Sequence, residues 1–387
     1  MKQIKRCYDD FLTLRKNEKT FRHLMEFKSL GAGRILEYGG RRYINFASND
    51  YLGLAKDKRL IKQSVIYAKE YGVGSGASSL ITGYSSFTEK LEKKIAKWQQ
   101  KESALIFQSG FQANCSIIAA LLDMRILREE PIVFVDKKIH ASIHFGLRAA
   151  KVRPHYYDNC NMEHLNLLLD QYKNDLRPKF IITESLFSMD GNTIDVDRIK
   201  ELKKQYDCFL ICDEAHSAGL FGENGSGIAC DVADCVIGTF SKALGVFGAY
   251  VACDESLRQY LINCSVGFIY STSLPPQVLG PINEAIDLIH ELQKDRDLLH
   301  RNAKELREAI KSYGFDIGLS NSHIIPVIVG KEEAAQELEA KLKSFGIWCS
   351  ALRTPTVPKG ASRIRISLSR FHTQEDIEAL LAALKAF

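Results

Sequence analysis

Five short apolar runs, each separated from the next by enough chain for a helix, constrain this fold more than any other feature. They are residues 104–107 (ALIF), 132–135 (IVFV), 180–183 (FIIT), 208–212 (CFLIC) and 235–240 (CVIGTF). A strand with one wet face alternates apolar and polar residues. These runs do not alternate, so both of their faces must be covered. Helix-length stretches between them, such as 196–206, supply the cover. The pattern therefore predicts an α/β fold with a mostly parallel central sheet and helices on both sides. A chain of 387 residues with 45% hydrophobic content has ample material for such a core.

The texture changes on either side of this region. Residues 1–30 read as a polar, amphipathic helix leading into a turn at Gly31 and Gly33, and a strand-like run follows at 41–46. After Pro275 and Pro276, residues 277–311 form a long, charge-laced helical pattern, and the remainder alternates short strands with helices. The expected organisation is an N-terminal segment (1–47) packing with a small α+β domain (277–387), and a large domain between them (48–276).

Composition removes several classes of function. The 52 basic and 47 acidic residues leave a net charge of +5 with no long Lys/Arg run, so nucleic-acid binding is not expected, although an acidic carrier protein could be attracted. Ten cysteines show no CxxC pair and no Cys/His cluster at zinc spacing. They read as reduced core thiols, with neither metal nor disulfide expected. The N-terminal string MKQIKRCYDDFLTLRKNEK has no apolar signal core, and no 18-residue apolar run occurs. A cytoplasmic protein with no membrane contact is the expectation.

Open parallel sheets present their ligands at the carboxyl ends of the strands. Here CFLIC ends in Asp213-Glu214-Ala215-His216 and CVIGTF runs into Ser241-Lys242. A lysine can hold an aldehyde cofactor as a Schiff base, and a carboxylate can keep a pyridine ring protonated as an electron sink. Taken singly, an Asp at a strand end is more often a helix cap, and a lone Lys a surface charge. Further strand ends add weight. Ser109–Asn114 (SGFQAN) places a turn and a helix start after ALIF, a natural phosphate seat. His140-Ala141-Ser142 puts an imidazole on the same rim, and Glu184–Gly191 (ESLFSMDG) closes FIIT with a polar turn.

These strings, with SNDYLGL (48–54), YGVGSGAS (71–78), TGYS (82–85), GTFSKALG (238–245) and IYSTSLPP (269–276), resemble the α-oxoamine synthases. Those are fold-type-I pyridoxal 5′-phosphate enzymes that act as homodimers and join an amino acid to an acyl thioester with loss of carbon dioxide. The resemblance runs from about residue 20 to the C-terminus. It implies an aminotransferase-like large domain, with Lys242 holding the cofactor and moving the α-proton. Asp213 would then meet the pyridine nitrogen, His216 the phenolic oxygen and His140 the ring face. Gly110, Phe111, Ser188 and Thr239 would bind the cofactor, and Thr272 would reach its phosphate across the dimer interface. Arg365 and Asn49 would hold the amino-acid carboxylate; Arg363 shares a strand face with Arg365, and the resemblance selects Arg365. Arg22 and Thr356 match positions that bind the acyl substrate, and His140 also touches substrate.

Within the family, TGYS, IYSTSLPP and residues 353–368 (RTPTVPKGASRIRISL) look most like the members that condense L-alanine with a pimeloyl thioester, carried on coenzyme A or an acyl-carrier protein. Members using glycine or serine, another reaction on the same fold, and a silent partner subunit are the alternatives. Three departures from the family pattern stand out: Thr88 in place of a common His, Ala77 in place of a Gly, and Asn192–Asp195 (NTID) after ESLFSMDG.

Overall fold

The computed structural model describes residues 2–18 and 20–387. Its strands are β1 (Lys28–Leu30), β2 (Ile35–Tyr38), β3 (Arg41–Asn45), β4 (Ser103–Phe107), β5 (Ile132–Asp136), β6 (His155–Tyr157) and β7 (Lys179–Glu184). They continue with β8 (Cys208–Asp213), β9 (Cys235–Thr239), β10 (Ala249–Cys253), β11 (Ile324–Gly330), β12 (Ile347–Trp348), β13 (Ser350–Leu352) and β14 (Ser362–Ser367).

The five apolar runs all become strands of one seven-stranded sheet, ordered β4-β10-β9-β8-β7-β5-β6. Neighbouring strands are parallel except around β10, which runs against both β4 and β9. Successive residues serve opposite faces: Ile181, Leu210 and Val236 join one buried cluster, whereas Ile182, Ile211 and Ile237 join another. Both faces are dry, which is why the runs lack a polar alternate. Two strands of this sheet escaped the sequence reading. β6 is a short edge strand (HYY) with no apolar run, and only Tyr157 is buried. β10 (AYVAC) fits between its neighbours because Gly238 opposite leaves room: a Cβ there would lie 2.3 Å from Tyr250 Cζ.

Two expected helices are shorter than the pattern suggested. The N-terminal helix covers Lys2–Asn17 and ends on Arg15 and Lys16, cations suited to a helix C-terminus; the chain is in β1 by residue 28. The 277–311 pattern divides into Pro276–Glu291 and Gln293–Ser312, interrupted where Leu292 turns its backbone out of the helix and buries its side chain. The first of these carries the apolar face (Leu279, Ile282, Ile286, Ile289), and its Gly280 lies against the Tyr67 ring of helix Lys58–Tyr71.

Two small sheets complete the molecule. β3 pairs in parallel with β12 in a sheet ordered β1-β2-β3-β12, joining residues 41–45 to the C-terminal region. β14 lies between β11 and β13, antiparallel to both. Ser367 N donates to Phe46 O at 2.8 Å and Arg370 N to Tyr51 O at 2.9 Å. Those bonds clip residues 46–51 alongside β14, so Asn49 and Arg365 come together although 316 positions separate them.

Candidate active site

The carboxyl ends of β4, β5, β7, β8 and β9 converge on one cavity of about 210 Å³, lined by Gly110, Phe111, Asn114, His140, Glu184, Asp213, His216, Thr239 and Lys242 among others. After β4, Ser109 caps helix Gly110–Leu121, its hydroxyl accepting from Gln112 N at 3.2 Å. The N–H groups of Gly110 and Phe111 stay at the open end of that helix, where an anion is favoured. Thr239 stands beside them: a Cβ on Gly110 would lie 3.5 Å from Thr239 Cβ. After β5, His140 caps helix Ala141–Ala150 and its Nδ1 lies 2.7 Å from Ser142 Oγ, which fixes the ring.

Asp213 is buried and oriented at both oxygens. Asn114 Nδ2 donates to Oδ2 at 2.6 Å, and Ala215 N donates to Oδ1 at 2.8 Å. Lys242 Nζ lies 2.7 Å from His216 Nε2, and the Tyr51 hydroxyl lies 2.7 Å from His216 Nδ1. Burial pushes the Lys242 amine down to about 8, against the pull of Asp213 and Glu184, and the Arg365 charge adds to the lowering. Burial, then Lys242 and Arg365, hold His216 well below its ordinary value, so its ring is neutral. Burial likewise lowers His140. Glu184 is pushed well up by burial and then by Asp213, its partner in strand register, and it accepts a hydrogen bond from His140 N.

Arg363 and Arg365 do share a face of β14, and the structure separates them. Arg363 Nη1 is 2.9 Å from Asp190 Oδ1, a buried ion pair. Arg365 meets only neutral oxygens in its recorded bonds: Nε donates to Ser188 O (2.6 Å), Nη1 to Asn49 Oδ1 (3.2 Å) and Nη2 to the Tyr51 hydroxyl (3.3 Å). A guanidinium with neutral partners retains its full charge for an incoming anion.

The profile of the family described as aminotransferase class I and II matches residues 41–384. A Gluconacetobacter diazotrophicus protein named 8-amino-7-oxononanoate synthase is 40% identical over 91% of this chain and 89% of its own. The chain belongs to this aminotransferase family, among its α-oxoamine synthases. A Paramagnetospirillum magneticum protein, to which the 8-amino-7-oxononanoate synthase name is assigned provisionally, is 46% identical over 92% of this chain and 91% of its own. The solved 8-amino-7-oxononanoate synthase of Francisella tularensis superposes with a TM-score of 0.76 at 28% identity, covering 89% of this chain and 97% of that one. Serine palmitoyltransferase from S. paucimobilis, solved with bound PLP–myriocin, shares the fold at a TM-score of 0.89 and 23% identity, over 98% and 96% of the two chains.

Pyridoxal phosphate is the cofactor of this family, and the donor set here fits it. One cavity offers a partly neutral amine, a fixed carboxylate, an imidazole and a helix N-terminus beside a threonine. Ser188 enters through its carbonyl, which holds Arg365. Arg22 and Thr356 come together elsewhere, in a cavity of about 490 Å³ shared with Phe11, Leu12, Arg15 and Pro355. Thr272 lines neither cavity; it is exposed, and its carbonyl accepts from Gln108 Nε2. Thr88 also lines neither: it is buried at the start of helix Ser86–Trp98, bonded to Ser85 Oγ. Ala77 gives its carbonyl to Ser273 N, and Asp195 caps helix Val196–Gln205. Tyr51, Asn114 and Glu184 had been given no role of their own. Tyr51 sits beside Leu52 and Leu54 and passes for a core residue, and Asn114 lies one turn inside a helix, where no strand-end rule points to it.

Proposed function

We propose that this chain catalyses the decarboxylative condensation of L-alanine with a pimeloyl thioester, forming 8-amino-7-oxononanoate, free thiol and carbon dioxide, a step of biotin biosynthesis. The observation that carries this reading is the joint placement of Lys242, Asp213 and His216 on one buried cavity, in a chain 40–46% identical to proteins bearing that activity's name. Bound there, pyridoxal phosphate supplies an aldehyde for the amino group and a ring that draws electrons from the α-carbon.

Each residue has a task that its surroundings support. Lys242 is the amine that holds the cofactor; desolvation keeps an appreciable share of it neutral, and freed by the substrate it takes the α-proton and later returns one. Asp213, held by Asn114 and Ala215, would meet the ring nitrogen and favour its protonated form. His140 would cover the ring face, and neutral His216 would meet the phenolic oxygen. The N–H groups of Gly110 and Phe111, with Thr239, receive the phosphate. Arg365 and Asn49 hold the alanine carboxylate. Arg22 and Thr356 bind the acyl arm in the second cavity, whether carried on coenzyme A or an acyl-carrier protein.

The active form is read as a cytoplasmic homodimer, with residues 48–276 carrying the cofactor. Exposed Val73, Ile81 and Tyr270 near Thr272 are apolar surface that a second copy would cover, bringing Thr272 to the partner's phosphate. No helix among the described residues is long and apolar enough to cross a membrane. The test is a substrate matrix: alanine, glycine and serine against pimeloyl, acetyl and succinyl thioesters, following thiol and carbon dioxide. The highest kcat/KM is expected for alanine with pimeloyl thioester, and absent in Lys242→Ala. A preference for glycine or serine, or turnover without carbon dioxide, would reject the reading.

A further inference from the structure

Arg365 has five N–H donors, and three are occupied: Nε by Ser188 O, one on Nη1 by Asn49 Oδ1 and one on Nη2 by the Tyr51 hydroxyl. The two that remain, one on each terminal nitrogen, form the fork that a carboxylate accepts in bidentate fashion. The Tyr51 oxygen is also 2.7 Å from His216 Nδ1 and 3.1 Å from Asn49 Oδ1. One phenol thus touches both residues read as carboxylate ligands and the imidazole that contacts Lys242.

This phenol is locked. Tyr51 is fully buried, its ring edge-on to buried His323 with centroids 4.1 Å apart. Burial raises the phenol above its ordinary value, so it remains a hydroxyl and carries a donor as well as acceptor lone pairs. The bonds then assign themselves: Arg365 donates to the phenol oxygen, and the phenol donates to Asn49 Oδ1. The same phenol oxygen lies 2.7 Å from His216 Nδ1, and His216 Nε2 lies 2.7 Å from Lys242 Nζ.

We propose that Tyr51 is the positioning residue for amino-acid selection: its hydroxyl sets the plane of the Arg365 fork and, through the same oxygen, fixes His216 against Lys242. The proposal rests on the reading of Arg365 as the carboxylate site. Ligands that lack the carboxylate do not use the fork, so loss of the Tyr51 hydroxyl falls more heavily on the carboxylate ligand than on its amide.

The experiment titrates the pyridoxal-phosphate-loaded enzyme with L-alanine and with L-alaninamide, reading each Kd by absorbance and comparing their ratio across wild type, Arg365→Leu and Tyr51→Phe. Arg365→Leu should abolish the preference for the carboxylate. Tyr51→Phe should reduce it by about tenfold to a hundredfold, the range for one charge-assisted hydrogen bond, with the thioester KM unchanged. If Tyr51→Phe weakens both ligands alike, or leaves the ratio intact while Arg365→Leu collapses it, Tyr51 is only structural and the proposal is overturned. If Arg365→Leu itself leaves the ratio unchanged, the carboxylate reading fails and the proposal falls with it. Should Tyr51→Phe not fold, 3-fluorotyrosine at position 51, a weaker acceptor of the same shape, must shift the ratio in the same direction, or the proposal is rejected.

Discussion

Capture of the cofactor by the empty protein should be governed by the burial of Lys242. Only the neutral amine attacks an aldehyde. With the amine lowered from 10.5 to about 8, about one molecule in ten is neutral at pH 7, against roughly one in three thousand for an unperturbed lysine, a gain of about 300-fold. The rate of covalent capture should therefore climb about tenfold per pH unit up to about pH 8 and flatten above it. Stopped-flow absorbance after mixing cofactor-free protein with pyridoxal phosphate between pH 6 and 10 measures this. N-acetyl-lysine serves as a control for the aldehyde's own ionisation, and borohydride trapping locates the adduct. The neighbours fix the sign of a second result. Asp213 favours the charged ammonium, so Asp213→Asn should move the break below that of wild type. A wild-type rate that keeps climbing to about pH 10, or an Asp213→Asn break displaced upward, would refute the claim that desolvation dominates this amine.

Two further outcomes follow from buried carboxyl groups. Glu184, kept neutral beside Asp213, should tolerate Glu184→Gln with cofactor affinity within about threefold, because the amide oxygen still accepts from His140 N. Glu184→Ala should weaken it by about tenfold. Equilibrium dialysis decides, and equal losses would mean that a charged carboxylate is needed. Away from the cavity, Arg258 Nη2 lies 3.0 Å from Glu92, which also accepts from Tyr84 Oη and Ile106 N. Arg258→Leu leaves that buried carboxylate without its cation and should destabilise the protein by about 3 kcal/mol in urea denaturation, with Arg258→Leu/Glu92→Leu recovering part of the loss.

What was legible in the sequence, and what was not, follows from the range of each interaction. The sheet could be read because burial on both faces leaves its mark within four or five consecutive residues. Lys242, Asp213 and His140 drew notice because they stand at or just beyond the ends of apolar strands, and the resemblance supplied their expected roles. Strand face alone left Arg363 and Arg365 equivalent, since the difference between them is Asp190, 173 positions away. Tyr51 was hidden for another reason: a tyrosine beside Leu52 and Leu54 passes for core, and core it is, except for one oxygen. The hardest case was Glu184. It ends β7 as Asp213 ends β8, and only the pairing of the two strands in parallel register sets the carboxyl groups side by side. Two adjacent buried anions repel strongly in a medium of low polarity, so one of them must keep its proton. Burial and then the neighbouring Asp213 raise Glu184 well above the ordinary carboxyl value, against one hydrogen bond from His140 N to its carboxyl. The proton therefore resides on Glu184, an assignment that depends on strand register and that neither string of letters contains.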